Sequence, residues 1–302
     1  MKVTPQLVKE LRDRTMAGMM DCKKALEACE CDMEKAIVWL REKGIAKAEK
    51  KASSRVAAEG LCSIEINGNE AVIFELNSET DFVAKNEKFL NLLANVGKAI
   101  INSNAQDTDS ALAVEVSEGK NLATYILEEA AIIGEKISLR RVQRIVKTDE
   151  QTFGAYKHMG GRIVVVAVLD NASAEVAKDI AMHVAANQPQ YICEGDISPE
   201  TVEKERAIIL AEALNENAEA AKPKPEQIIA DKIVPGRLAK YLKDICLLDQ
   251  PFVKNPDETV SVYLSHTKST VKSFVRLAVG EGIEKEVVDF AAEVAAQAGL
   301  SK

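Results

Sequence analysis

Asn77-Ser78-Glu79-Thr80-Asp81-Phe82-Val83-Ala84-Lys85 joins a strand-like run to a helix-like run, and the rest of the chain can be read outward from that junction. Ahead of it, Ala71-Val72-Ile73-Phe74-Glu75-Leu76 is rich in β-branched and aromatic residues, as a half-buried or buried strand should be. Behind it, Phe89, Leu93, Val96 and Ile100 recur at helical spacing. An acid and an aromatic therefore stand side by side where a strand turns into a helix. Two readings fit these residues. In one, Ser78 and Asp81 form an S/T-x-x-D/E capping pattern, and Phe82, seven residues before Phe89, packs into the core. In the other, Asp81 and Phe82 project outward and are free to touch something else.

Upstream, Leu61 to Ile66 and Ala71 to Leu76 flank Asn67-Gly68, a strong hairpin signal. Downstream, helices are expected from about Ala84 to Ser103 and from about Leu122 to Ile133, with a closing strand over Ile137 to Ile145. The same order of elements recurs. Phe153 to Lys157 and Ile163 to Leu169 are strands around Gly160-Gly161, followed by a helix over Ala174 to Ala186. A short helix over Val260 to His266 and a strand over Val271 to Val279 complete the second copy. Ser198-Pro199 opens a charged helix to about Glu216, which Lys222-Pro223-Lys224-Pro225 cannot continue. A second helix begins near Pro225 and carries Ile229, Ile233 and Leu238. Two such helices make either a protruding antiparallel hairpin or a pair packed on the core.

Residues 1–52 read as three short helices. Thr4 caps the first, the second carries Cys22, Ala25, Leu26 and Cys29, and the third, capped by Asp32, stops at Gly44. This small bundle resembles a ubiquitin-associated domain, and so small a core leaves much surface for docking. Lys47 to Ser54 is expected to be a polar connection, and Ile283 to Ala298 an amphipathic helix. The fold class is therefore α+β. A three-helix ubiquitin-associated-like domain (1–52) precedes two repeated antiparallel-sheet-plus-helix subdomains, 57–146 and 152–280. The second subdomain holds a helical hairpin insertion at about 198–234, and a C-terminal helical module follows over 281–302.

The 302 residues are 47% hydrophobic and 28% charged, the composition of a soluble globular protein. The longest apolar runs, such as Ile163 to Leu169, are strand-length, so no membrane span is expected. The first residues lack the apolar centre of a secretory signal, and the six Cys are expected as cytoplasmic free thiols. A net charge of −8 argues against nucleic acid as the main target. The charge is uneven: residues 1–55 hold 13 Lys/Arg against 9 Asp/Glu. Lys43, Lys47, Lys50, Lys51 and Arg55 read as a solvated helix end or linker.

No catalytic constellation is legible. There is no P-loop and no G-x-G-x-x-G, and His158, His183 and His266 lack a Cys or Ser partner at a recognised spacing. Cys29-Glu30-Cys31 has no His nearby to complete a metal site. No cofactor, resident metal or enzymatic reaction is expected. His183, amid apolar residues on a helix, reads as a core histidine, and His158 lies in a hairpin tip.

Several long stretches, in one order, carry a resemblance. Near the start stands Val8-Lys9-Glu10-Leu11-Arg12-Asp13-Arg14-Thr15-Met16-Ala17-Gly18-Met19-Met20-Asp21-Cys22-Lys23-Lys24-Ala25-Leu26, and later Glu75 to Lys85. Ile180 to Ala186, Gln250-Pro251-Phe252-Val253, Val279 to Lys285 and Asp289 to Ala296 follow. Together these resemble the elongation factor Ts family from end to end, with Met16 where the family usually has Gly. The resemblance implies a guanine-nucleotide exchange factor for the GTPase elongation factor Tu, acting in the cytoplasm during translation elongation. It implies that Thr80, Asp81, Phe82 and Val83 act near the partner's Mg²⁺ site, that the insertion is a coiled-coil arm, and that His158 is a candidate partner contact. The N-terminal helices are expected to dock on the partner, with Met19 and Met20 offering an adaptable apolar contact. Two rivals from other classes are an adaptor using residues 1–52 alone and a small-molecule enzyme with a deep pocket in the repeats.

Overall fold

The computed structural model describes residues 3–15, 17–220 and 222–284, with 45–54 followed as backbone alone. Met16 and nearly all of the expected C-terminal helical module over 281–302 lie outside the described residues. The described residues mix helices with antiparallel hairpins, preceded by three N-terminal helices. They form two compact units, one drawn from the described residues of 3–145, 160–162 and 277–284 and the other from those of 146–159 and 163–276.

In the first unit, α1 (Pro5–Thr15), α2 (Met19–Ala28) and α3 (Met33–Ser54) close around Leu11, Cys22, Ala25, Leu26, Ala36 and Leu40. The hairpin of β1 (Glu59–Asn67) and β2 (Glu70–Ser78) pairs Glu59 with Ser78 at one end and Asn67 with Glu70 at the other. Gly68 takes the turn at φ +58°, which a side chain disfavours. Then come α4 (Asp81–Ala84), α5 (Glu87–Ile101), α6 (Thr108–Leu112) and a small ribbon of β3 (Glu115–Ser117) and β4 (Lys120–Asn121). Asn121 caps α7 (Leu122–Ile133), and β5 (Ser138–Val146) lies beside β2, so the sheet runs β1-β2-β5. Phe74 and Leu76 from β2 meet Phe89, Leu92, Val96 and Ile100 from α5 and Leu122 and Ile126 from α7 in one core.

α3 does not stop at Gly44. It continues through the stretch expected as a polar connection, to Ser54, and α3 packs along α7. A Cβ at Gly44 would lie 3.4 Å from that of Ala131, and Arg41 pairs with Glu128 of α7. Such tertiary packing offsets the penalty of about 1 kcal/mol for a glycine inside a helix.

In the second unit, β6 (Gln151–His158) and β7 (Ile163–Asp170) pair from Gln151–Asp170 to His158–Ile163. α8 (Ala174–Asn187) rests directly on β6: a Cβ at Gly154 would come within 1.9 Å of the Ala177 carbonyl oxygen, so only glycine fits there. α9 (Pro199–Ala218) packs against a second arm of α10 (Glu226–Ile228), a π-helical turn at Ile229–Ile233 and α11 (Val234–Ile245). The two arms share their own core of Ile209, Ala213, Ile229, Leu238 and Leu242, and Arg237 grips Glu216 with two hydrogen bonds of 3.1 and 2.6 Å. The second arm runs on to Ile245, beyond the boundary near 234 read from the sequence. The π turn precedes Pro235 and lets the helix continue past a residue that lacks an N–H. β8 (Pro251–Phe252), β9 (Asn255–Thr259), α12 (Val260–Thr267) and β10 (Thr270–Ala278) complete the unit, and this sheet runs β10-β7-β6. Both sheets thus consist of a hairpin with a later strand beside its second member.

Candidate functional site

The turn that follows β2 is built by caps. Thr80, extended at φ −125° and ψ 156°, is the N-cap of α4, and its hydroxyl oxygen accepts the Val83 N–H at 3.4 Å. Asn86, also extended, caps α5 by accepting the Lys88 N–H at 2.9 Å. The chain therefore breaks at Lys85-Asn86: the helix expected from about Ala84 to Ser103 is α5, and the separate one-turn α4 precedes it. Ser78 is not the cap. It ends β2, buried, and its hydroxyl donates to the Thr80 carbonyl at 2.9 Å.

That break decides where Phe82 points. Residues seven apart share a face only along a continuous helix. With the axis interrupted, Phe89 enters the core while Phe82 remains 80% exposed. The core reading of Phe82 is overturned. Its neighbours divide differently: Val83 packs partly against the core, and Ala84 is buried. Asp81 accepts a hydrogen bond of 2.7 Å from the Lys85 ammonium, which holds its carboxyl below the ordinary carboxylate range. An apolar ring is thus held in water on a capped turn.

The turn is braced from beneath. The Glu135 carboxylate, just past α7, accepts the N–H groups of Glu79 and Thr80 at 3.1 and 3.0 Å and the Thr80 hydroxyl at 2.7 Å. The Glu79 carboxylate in turn accepts the Lys136 N–H at 2.6 Å and an Arg55 guanidinium hydrogen bond at 2.8 Å. Deeper in the same unit, Glu75 of β2 is fully buried and receives Asn77 Nδ2 at 2.8 Å, Arg141 Nε at 2.7 Å and the Gly280 N–H at 2.7 Å. Arg140 adds a longer ion pair at 3.3 Å. Removing one member of such a buried set typically costs about 3–5 kcal/mol, so this end of β2 is stiff. Burial, with Glu75 nearby, pushes the Cys62 thiol up to about 12, far from a reactive thiolate.

The other residues singled out from sequence stand on other elements. Met19 and Met20 open α2 and are 59% and 63% exposed, while α2 packs against α1 and α3 through Cys22, Ala25 and Leu26. His158 ends β6 in the second unit, exposed, with Nδ1 3.2 Å from the Tyr156 hydroxyl. His183 is a satisfied core histidine. Its Nδ1 accepts the Val253 N–H at 3.1 Å, so Nε2 carries the proton donated to Gln250 Oε1 at 2.9 Å. Among the described residues no group of three or more His, Cys, Asp or Glu is arranged to hold a metal ion. An open groove of about 700 Å³ between α5 and the β3–β4 ribbon is lined by Lys98, Lys120, Asn102 and Tyr125, with Glu115 its only acid. Among the described residues no helix is long and apolar enough to cross a membrane.

The pattern of the family described as "Elongation factor TS" matches residues 79–281, beginning within the braced turn. Over 297 residues, 98% of this chain and 99% of the relative, the sequence is 54% identical to a protein of Acholeplasma laidlawii (strain PG-8A) named "Elongation factor Ts".

Proposed function

The chain belongs to the elongation factor Ts family of translation elongation factors, and on that premise we propose that it is a guanine-nucleotide exchange factor for elongation factor Tu. It binds the GDP-loaded GTPase, disturbs the partner's Mg²⁺ site and promotes release of GDP. It makes and breaks no covalent bond and works in the cytoplasm. The observation that supports this reading best is the exposed ring of Phe82 on a turn fixed at both ends.

The physical route is a coupling of two binding equilibria. GDP is held largely through Mg²⁺, which demands near-octahedral ligands and keeps several waters. Inserting Phe82 between partner side chains displaces the groups that hold those waters, and the phosphates lose their counter-charge. Thr80 caps the turn and Val83 packs beneath it, so the ring meets resistance without folding back. Asp81 fixes the wedge by hydrogen bonds and is not a durable metal ligand, because a lone carboxylate is a weak Mg²⁺ site. Linkage makes the effect reciprocal: the factor by which this protein weakens GDP is the factor by which GDP weakens this protein. Met19 and Met20 add an adaptable apolar contact from the N-terminal helices, and His158 adds a polar one. The test is to mix the protein with elongation factor Tu loaded with fluorescent GDP and time the release. Release no faster than the spontaneous rate overturns the reading.

A further inference from the structure

We infer that Glu135 is the positioning residue of the exchange turn, holding Phe82 at the angle from which it acts. The inference rests on the exchange reading above and adds to it a residue outside the turn. Three donors of the turn converge on this one carboxylate: the N–H of Glu79, the N–H of Thr80 and the Thr80 hydroxyl, at 3.1, 3.0 and 2.7 Å. Because the Thr80 hydroxyl donates to Glu135, its lone pair is left for the Val83 N–H, so the clamp and the cap share one oriented group. The reverse strap runs from the Glu79 carboxylate to the Lys136 N–H at 2.6 Å. Two segments 56 residues apart therefore hold each other by charge-assisted hydrogen bonds, the stronger kind. Gly134 makes the arrangement possible. It ends α7 in the left-handed region at φ +93°, where its N–H returns to the Ala130 carbonyl at 2.8 Å, and the chain reverses so that Glu135 faces the end of β2.

The α4 helix is a single turn of four residues, too short to keep its own shape. A ring used as a wedge needs a stiff mount, since compliance in the turn would let Phe82 yield instead of the partner. Glu135 supplies the mount without touching the ring or being part of the turn.

The experiment compares wild type, Glu135→Ala, Glu135→Gln, Phe82→Ala and Glu135→Ala/Phe82→Ala in fluorescent-GDP release from elongation factor Tu. Each is titrated to saturation, with thermal unfolding measured alongside. Glu135→Ala is expected to lower the saturating release rate roughly tenfold, and by no more than Phe82→Ala does because it acts through the ring, while the half-saturating concentration moves far less. Glu135→Gln keeps an oxygen for the two N–H groups and an amide that can donate to Thr80, so most of the rate returns. In the double variant the Glu135 change adds almost nothing to the Phe82 defect. Equal Glu135 defects with and without Phe82, or full saturating rate in Glu135→Ala, overturn the inference while leaving exchange intact. If wild type itself fails to speed release, the exchange reading falls, and amide hydrogen exchange at Glu79 and Thr80 still decides the clamp. Protection there unchanged by Glu135→Ala overturns it, and loss of protection at those two amides in a variant otherwise folded supports it.

Discussion

Phe82→Ala separates a contact residue from a core residue by the sign and size of two measurements. Full burial of a phenylalanine side chain is worth about 1.5–3 kcal/mol, and a ring 80% exposed realises only about a fifth of that at home. Truncation should therefore cost less than about 0.6 kcal/mol, part of it returned by the better helix propensity of alanine, about 0.5 kcal/mol. The melting temperature should move by no more than roughly 2 °C. Against the partner the arithmetic reverses. A ring that goes from water into a packed site behaves as an anchor, whose removal costs about 2 kcal/mol or more. If that contact is made only once the nucleotide site has opened, the same amount leaves the coupling between the two ligands. About 2 kcal/mol corresponds to a roughly thirtyfold slower saturating GDP release. The assay is stopped-flow release of fluorescent GDP at saturating protein, with calorimetric unfolding of the same samples. A variant that loses several kcal/mol of folding stability yet exchanges normally per folded molecule would refute the reasoning, because it would return Phe82 to the core.

Chelating Mg²⁺ should itself speed GDP release from the partner and should shrink the Phe82→Ala defect, since the step that the ring assists has been bypassed; an equal wild-type to variant ratio with and without chelator sinks the Mg²⁺ account. Met19→Gln with Met20→Gln should leave unfolding within about 0.5 kcal/mol, as for exposed positions, while raising the half-saturating concentration for exchange roughly tenfold. An unchanged half-saturation would show that α2 does not dock. His183 is held below its ordinary value of 6.5 by burial, so the folded state resists its protonation. The stability this contributes is complete above 6.5 and is lost as pH falls through the folded value; denaturant unfolding should lose stability below pH 6.5 with a steeper slope than His183→Gln, and equal slopes would refute it.

The hairpins were the most legible part of the fold. Asn67-Gly68 and Gly160-Gly161 each sit between β-rich runs, and both turns fall within a residue or two of those positions, because turn geometry is set by the local residues that permit it. Helix ends were less legible where tertiary contact overrode a local stop. Gly44 is a good terminator in isolation, but α7 packs against α3 at Gly44 itself, where a Cβ would lie 3.4 Å from that of Ala131, and the helix runs on. The ribbon at Glu115–Ser117 and Lys120–Asn121 and the short pair at Pro251–Phe252 and Asn255–Thr259 have too few residues for a periodic signal.

The site divides along the same physical line. Thr80 to Val83 are singled out by the family resemblance, and their residues alone left Phe82 undecided between core and surface. One cap resolves it. Asn86 competes for the N-terminal amides of α5, the chain turns, and the seven-residue spacing to Phe89 loses its meaning. Glu135 left no mark at all in the sequence pattern. It follows an unremarkable helix-ending glycine, and its partners lie 55 and 56 residues away. Backbone N–H groups have no residue type to betray them, so no spacing rule could connect an acid after α7 with the end of β2. What makes the arrangement physically necessary is the length of α4. A one-turn helix with an outward aromatic cannot be rigid from its own four residues, and rigidity must come from wherever the fold brings a carboxylate within reach. An exposed ring on a short turn is therefore a reason to look for an unsuspected acceptor beneath it, and in this chain the two N–H groups and the Thr80 hydroxyl lead to Glu135.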